Sequence, residues 1–249
     1  MTNEKRQTIF DKIRSSIDSH GYHVRIVDGG PSPRFAYTIG LHSKFGFELV
    51  FAGGFFFTPS EMLGVVNAIA RRLQAGESFE NSSLSVDRSG SFLLSEAESS
   101  WISKMLLGAL DYLKLEQIRA LQITPDRNHW TIDIPDMQEP WNPSVQPIWQ
   151  WLERAWAYPV SSKSKAITNL DALRGHPVTE VSRWEEDEWE MFAGAGPDVE
   201  KADIRTVPLG TMIAIDETVR SAFDLEVGSG IWRDDEGGEW QAWGKQEWV

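Results

Sequence analysis

Phe47-Glu-Leu-Val-Phe-Ala-Gly-Gly-Phe-Phe56 is a nearly continuous apolar run, and Thr58-Pro-Ser-Glu61 follows it almost at once. The run is rich in aromatic and branched residues and ends at Gly53 and Gly54, which predicts a central β-strand. In the second motif Thr58 can cap a helix, Pro59 takes the first helical position, and Glu61 stands where a capping box wants an acid. A strand running directly into a capped helix means that sheet and helix share one core. The predicted buried stripe of that helix is Leu63, Val66, Ile69, Ala70 and Leu73, with Arg71 and Arg72 near its negative end and Gly76 as its stop.

Working outward, Ile9, Phe10, Ile13 and Ile17 have helical spacing, and Gly21 follows as a stop. Residues 22–27 and 34–39 alternate around the turn Asp28-Gly-Gly-Pro-Ser-Pro33 and predict an antiparallel hairpin. Residues 83–94 predict another. Trp101, Met105, Leu106, Ala109, Leu110 and Leu113 line one helix face, and residues 118–124 return as a strand. From Pro135 to Pro147 periodicity is lost, which predicts an ordered wrapping loop. Ser161-Ser-Lys-Ser-Lys165 reads as a polar link between a domain over residues 1–153 and a smaller one over 166–249. In the latter, residues 206–215 are strand-like, residues 216–223 predict a short helix, and residues 228–233 and 238–243 form a ribbon. The expected class is α+β: a mixed or mainly antiparallel sheet with packed helices, then a smaller Trp-rich α+β domain.

The chain has 249 residues, no cysteine and a net charge of −13. Disulfides, thiolate metal sites and cysteine nucleophiles are therefore excluded, and nucleic acid and anionic membrane are disfavoured as partners. No signal peptide or apolar span is evident, so the expected location is the cytoplasm. Charge and tryptophan are both uneven. Residues 1–153 carry 18 acidic and 14 basic side chains, residues 154–249 carry 19 and 10, and 10 of the 12 tryptophans lie from Trp141 onward.

The succession of Gly21-Tyr22, Phe35-Ala-Tyr-Thr-Ile-Gly-Leu41, Phe47-Glu-Leu-Val50, Gly54, Leu121-Gln-Ile-Thr-Pro-Asp126 and Gln146-Pro147 resembles the DUF4262 family, a bacterial domain of unknown function, over roughly residues 7 to 153. The resemblance brings no catalytic residues with it. The C-terminal part is similar to small immunity-type modules found beside bacterial polymorphic toxins, through residues 178–192, Val207-Pro-Leu-Gly210, Leu225 and Gly230-Ile-Trp-Arg233. That likeness implies a protein partner.

Two groups of residues are candidates for function. Tyr37, His42 and Glu48, joined by Asp126 and His129, could do acid-base work or bind a small molecule if they converge; residues at such places more often close hydrogen bonds at the end of a sheet. Asp133 and Asp136 lie near His129, but no spacing matches a metal motif, no nucleotide loop or serine elbow is present, and no cofactor is implied. The second group is Arg183-Trp-Glu-Glu-Asp-Glu-Trp-Glu-Met-Phe192, where Trp184 and Trp189 interleave with Glu185, Glu186, Asp187, Glu188 and Glu190. Trp232, Asp234, Asp235, Glu236, Glu239 and Trp240 repeat that chemistry. Such patches point to binding rather than catalysis, with a basic protein, most specifically a toxin domain, as the expected partner.

Overall fold

The computed structural model describes residues 3–77, 83–235 and 237–243. The class is α+β with two mixed sheets, as the sequence predicts. The chain forms two compact units, one of residues up to Val27, Arg34–His129 and Ile134–Trp141, the other of Asp28–Pro33, Trp130–Asp133 and the chain from Asn142 onward.

The first unit opens with α1 (Asn3–His20), the antiparallel pair β1 (His23–Val27) and β2 (Phe35–Ile39), and a single turn, α2 (His42–Phe45). β3 (Phe47–Ala52) then runs into α3 (Pro59–Gln74), which begins with both bonds of the expected capping box: the Thr58 side chain accepts from the Glu61 N–H, and Glu61 accepts from the Thr58 N–H. β4 (Leu84–Val86), β5 (Gly90–Glu96), α4 (Ser99–Met105), α5 (Leu107–Leu113) and β6 (Arg119–Pro125) follow. The six strands lie in the order β1-β2-β3-β6-β5-β4, with β3 parallel to β6 and every other pair antiparallel. α3 buries Met62, Val65, Val66, Ile69, Ala70 and Leu73 against Leu49, Phe51, Phe92 and Ile123. The stripe includes Met62 and Val65 and leaves Leu63 only half-buried, one position off the expected face.

The helix expected over residues 101–113 is two helices. Leu106, with φ −93° and ψ 29°, interrupts the helix, and Gly108 comes so close to Tyr37 that a Cβ there would lie 2.4 Å from the phenol oxygen. Residues 134–141 are irregular, held by side-chain hydrogen bonds. The Gln122 amide donates to the Pro135 carbonyl at 2.7 Å and accepts from the Met137 N–H at 3.1 Å, and the Trp101 indole donates to the Glu139 carbonyl at 2.9 Å. This side-chain bonding replaces a ladder, which is why the segment carries no periodic signal.

Glu98 caps α4 through the Ser100 hydroxyl and N–H and the Ser99 hydroxyl, which hold its carboxyl down at about 2, against an ordinary value of 4.5. A depressed carboxyl contributes stability above its unfolded pKa and loses it as pH falls toward the folded one. The site is part-buried at the surface, where solvent screening keeps the contribution small. Glu98→Gln is expected to cost well under about 1 kcal/mol at pH 7, and urea midpoints of the two proteins should converge between pH 4.5 and 2.

The second unit builds its own six-stranded sheet, order β10-β7-β9-β8-β11-β12. Its elements are β7 (Lys165–Asn169), α6 (Leu170–Leu173), β8 (Glu180–Glu185), β9 (Glu188–Phe192), β10 (Ile204–Pro208), α7 (Leu209–Ile215), β11 (Ser229–Trp232) and β12 (Gln241–Trp243). β7 is parallel to β9 and starts at the last residue of the segment read as a link. The strand expected over residues 206–215 ends at Pro208, which has no N–H for a ladder, and becomes α7. Within α7, Gly210 leaves room for the Pro31 carbonyl, 2.4 Å from where a Cβ would stand. The short helix expected over residues 216–223 is a 3₁₀-helix, residues 217–222.

Candidate functional site

Tyr37, His42 and Glu48 do not converge on a common point. The β2–β3 ladder ends at Tyr37↔Val50, and beyond it a side-chain hub takes over. The Thr38 hydroxyl accepts from the Leu49 N–H at 2.8 Å and donates to Glu48 at 2.6 Å, and the same carboxylate accepts the N–H groups of Gly40, Leu41 and His42 at 2.7, 3.3 and 3.1 Å. Glu48 is fully buried; burial pushes its pKa up, against the pull of these four donors. His42 takes part through its backbone, and its Nδ1 is buried without a hydrogen bond among the described residues. Tyr37 is buried beside Gly108 and Arg25, and burial raises its phenol above the ordinary value. Glu48 and the His42 N–H close the end of the sheet, while the Tyr37 phenol packs against Gly108.

Asp126 and His129 lie elsewhere. Glu48 is in register with Ala120 of the parallel strand β6, and Asp126 follows six residues further on, roughly 20 Å at the rise of an extended chain. The convergent five-residue site is therefore not formed. The remaining pair is ordered: His129 Nδ1 stands 2.7 Å from Asp126 Oδ1, while Asp126 also accepts the N–H groups of Ser91 and Asn128 at 2.8 and 3.0 Å. Desolvation opposes ionisation of Asp126, but these donors prevail and hold its pKa below the usual value. The imidazole stacks on Phe57 and meets Phe56 edge-on. It occupies the space that a Cβ on Gly90 would need, 2.5 Å from its Cε1. With Nδ1 engaged and no bond to Nε2 among the described residues, the dyad presents one imidazole nitrogen. Among those residues no cluster of three or more potential ligands could hold a metal ion.

The acidic Trp-rich segment Arg183–Phe192 is the β8–β9 hairpin, and its two tryptophans part company. Trp189 is fully buried, against Phe223 and beneath the Arg183 guanidinium, so it is a core residue and not a surface anchor. Trp184 is half-buried on the other face and donates to Glu190 at 2.5 Å. Glu185, Glu186 and Asp187 are exposed around the reversal, and Glu188 is half-buried. Strand pairing places Glu190, Ser182, Gly230 and Trp243 in one row and Glu180 and Trp232 in the next. The Trp243 ring lies over Gly230, where a Cβ would meet it at 2.3 Å, and its centroid is 6.0 Å from that of Trp184. Trp232, 38% exposed, stands in the adjoining row. This outer face thus carries three indoles and several carboxylates.

The second acidic patch is less open than its sequence suggests. Trp240 is half-buried, with the Arg233 guanidinium 4.2 Å from its ring centroid, so it is held inside its own unit. Arg233 is 3% exposed, pairs with Asp216 at 2.6 Å and donates to the Val178 carbonyl at 2.8 Å. Asp234, Asp235 and Glu239 are exposed; Glu236 lies outside the described residues. Sequence reasoning missed the Arg233–Asp216 pair and the role of Trp243. Gly230 inside a strand pattern is the one available signal of a ring pressed against backbone.

Residues 16–130 match the model of the DUF4262 family, described as a domain of unknown function. This is the family the sequence resembles; the match spans somewhat under half of the chain. No curated protein and no solved structure matches it. No helix among the described residues is long and apolar enough to cross a membrane.

Proposed function

We propose that the protein is an interaction protein and, most specifically, an immunity protein that neutralises a cognate bacterial toxin by direct binding and occlusion. The observation that supports this reading is the outer face of the second sheet, where Trp184, Trp232 and Trp243 stand beside Glu188 and Glu190 and the acidic reversal Glu185-Glu186-Asp187. Acidic groups there steer a basic partner at long range, and indoles that lose water on contact slow its release. Lys165 is in register with Glu188.

Kinetics test the division of labour. Replacing Glu185, Glu186, Asp187 and Glu188 together with neutral residues should lower the association rate and flatten its salt dependence, with little change in dissociation. Trp232→Ala should raise the dissociation rate by about tenfold or more at unchanged stability. An unchanged association rate in the first variant and an unchanged dissociation rate in the second would move the interface off this face.

A second reading, a small-molecule enzyme, draws on the Asp126–His129 dyad, whose Nε2 makes no bond among the described residues, the arrangement a general base needs. His129→Gln should leave toxin neutralisation intact if binding is the function. It should abolish turnover if the dyad is catalytic.

A further inference from the structure

We propose that the groove between α1, β1 and α3 in the first unit is a binding site for a small organic oxyanion, a carboxylate or a phosphate monoester. The groove encloses about 590 Å³. Its polar wall brings together His20 from α1, His23 from β1, and Asn67, Arg71 and Gln74 from α3, with no carboxylate in its lining. In a chain with 37 acidic and 24 basic residues, a lining that gathers nitrogen groups and excludes carboxylates runs against the composition.

The groups are only partly committed: His20 Nδ1 stands 3.3 Å from the Ser16 carbonyl and Gln74 is bonded to the His20 carbonyl, while others keep donors to spare. Arg71 donates its Nε to the Asn67 carbonyl at 3.2 Å and makes no ion pair among the described residues, which leaves its terminal nitrogens as donors. Asn67 accepts the Tyr22 hydroxyl at 2.9 Å on its side-chain oxygen, so its amide nitrogen remains a donor. The His23 imidazole makes no hydrogen bond among the described residues; burial, and then the Arg25 guanidinium, hold its pKa below the ordinary value. Attraction to helix C-termini accounts for His20 and Arg71, but His23 stands on a strand and has no such reason to be there.

The wall is fixed as well as polar. Gln74 donates to the His20 carbonyl at 2.8 Å, across Gly21, where a Cβ would lie 2.2 Å from the amide nitrogen. Val24 and Leu63 complete the lining with apolar surface. An oxyanion would take donors from Arg71, Asn67 and the imidazoles, and a short apolar body would cover the two aliphatic side chains.

The test is a titration of the full chain with phenyl phosphate and, separately, with benzoate, which share one apolar body. Imidazole Cε1–H resonances are followed by NMR, and three of the five histidines, His42, His129 and His176, serve as internal controls. At least one ligand should move His20 and His23 saturably, with a Kd below about 1 mM. Arg71→Ala, at an exposed helical position, and Arg71→Gln, which keeps chain length, should each weaken binding about tenfold or more, and Arg71→Lys should keep part of it. A response to phenyl phosphate alone assigns a phosphate monoester; a response to benzoate alone assigns a carboxylate. No movement of His20 and His23 up to about 10 mM of either ligand, or equal affinity in folded Arg71→Ala and Arg71→Gln, overturns the proposal.

Discussion

Glu48→Ala should destabilise the first unit by about 3–5 kcal/mol, because it strips the acceptor from the Thr38 hydroxyl and from the N–H groups of Gly40, Leu41 and His42 at once. No water takes over cheaply at a position where Glu48 and Thr38 are both fully buried. Glu48→Gln separates hydrogen bonding from shape. It keeps the volume but sets an amide donor against N–H donors on one side of the hub, so it should recover no more than about half of the loss. Denaturant unfolding, followed by a probe in each unit, gives both numbers. A loss within about 1 kcal/mol for the alanine variant would mean that the hub is not what holds Gly40–His42 against β3.

Arg233→Met should cost the second unit a comparable amount, about 3–5 kcal/mol, because it leaves the Asp216 carboxylate, only 11% exposed, without its counter-charge. The paired variant sharpens the test. Asp216→Asn keeps a cap for Thr218 while removing the charge, and in the Arg233→Met background it should recover stability relative to Arg233→Met alone. If the two changes simply add, the pair is not coupled. Trp240 is a useful reporter, since its ring lies against Arg233 and its fluorescence should change in the single variant.

Local signals in the sequence carry much of the fold. The capping box at Thr58 and Glu61, the run from Phe47 and the turn of glycines and prolines after Val27 each specify backbone conformation within a few residues, and the structure has all three. What lies beyond a few residues is not legible in this way. Thr38 escaped notice because its role depends on where the β2–β3 ladder stops, which is settled by pairing across the connection. Residues 206–215 carry apolar side chains compatible with either period, and Pro208 decides between them only once the ladder to β7 exists.

The candidate surface shows the same limit in another form. Whether Trp184 and Trp189 share a face depends on where the chain reverses and on the irregularity between Arg183 and Glu185, and one residue of slippage exchanges inside for outside. Composition located the acidic, Trp-rich hairpin but could not sort its side chains. The Arg233–Asp216 pair joins two elements 17 residues apart and has no sequence signature at all. The likeness to immunity modules rests on short motifs, while the family match ends at residue 130.

Co-expression with the toxin candidate encoded by the adjacent reading frame tests the central reading most directly. The wild-type chain should restore growth and be captured with the toxin, while a variant combining Trp232→Ala with neutral replacements of Glu185, Glu186, Asp187 and Glu188 should fold, fail to protect and lose capture. Growth inhibition that the wild-type chain does not relieve, or protection by the variant as complete as that by the wild type, would contradict it.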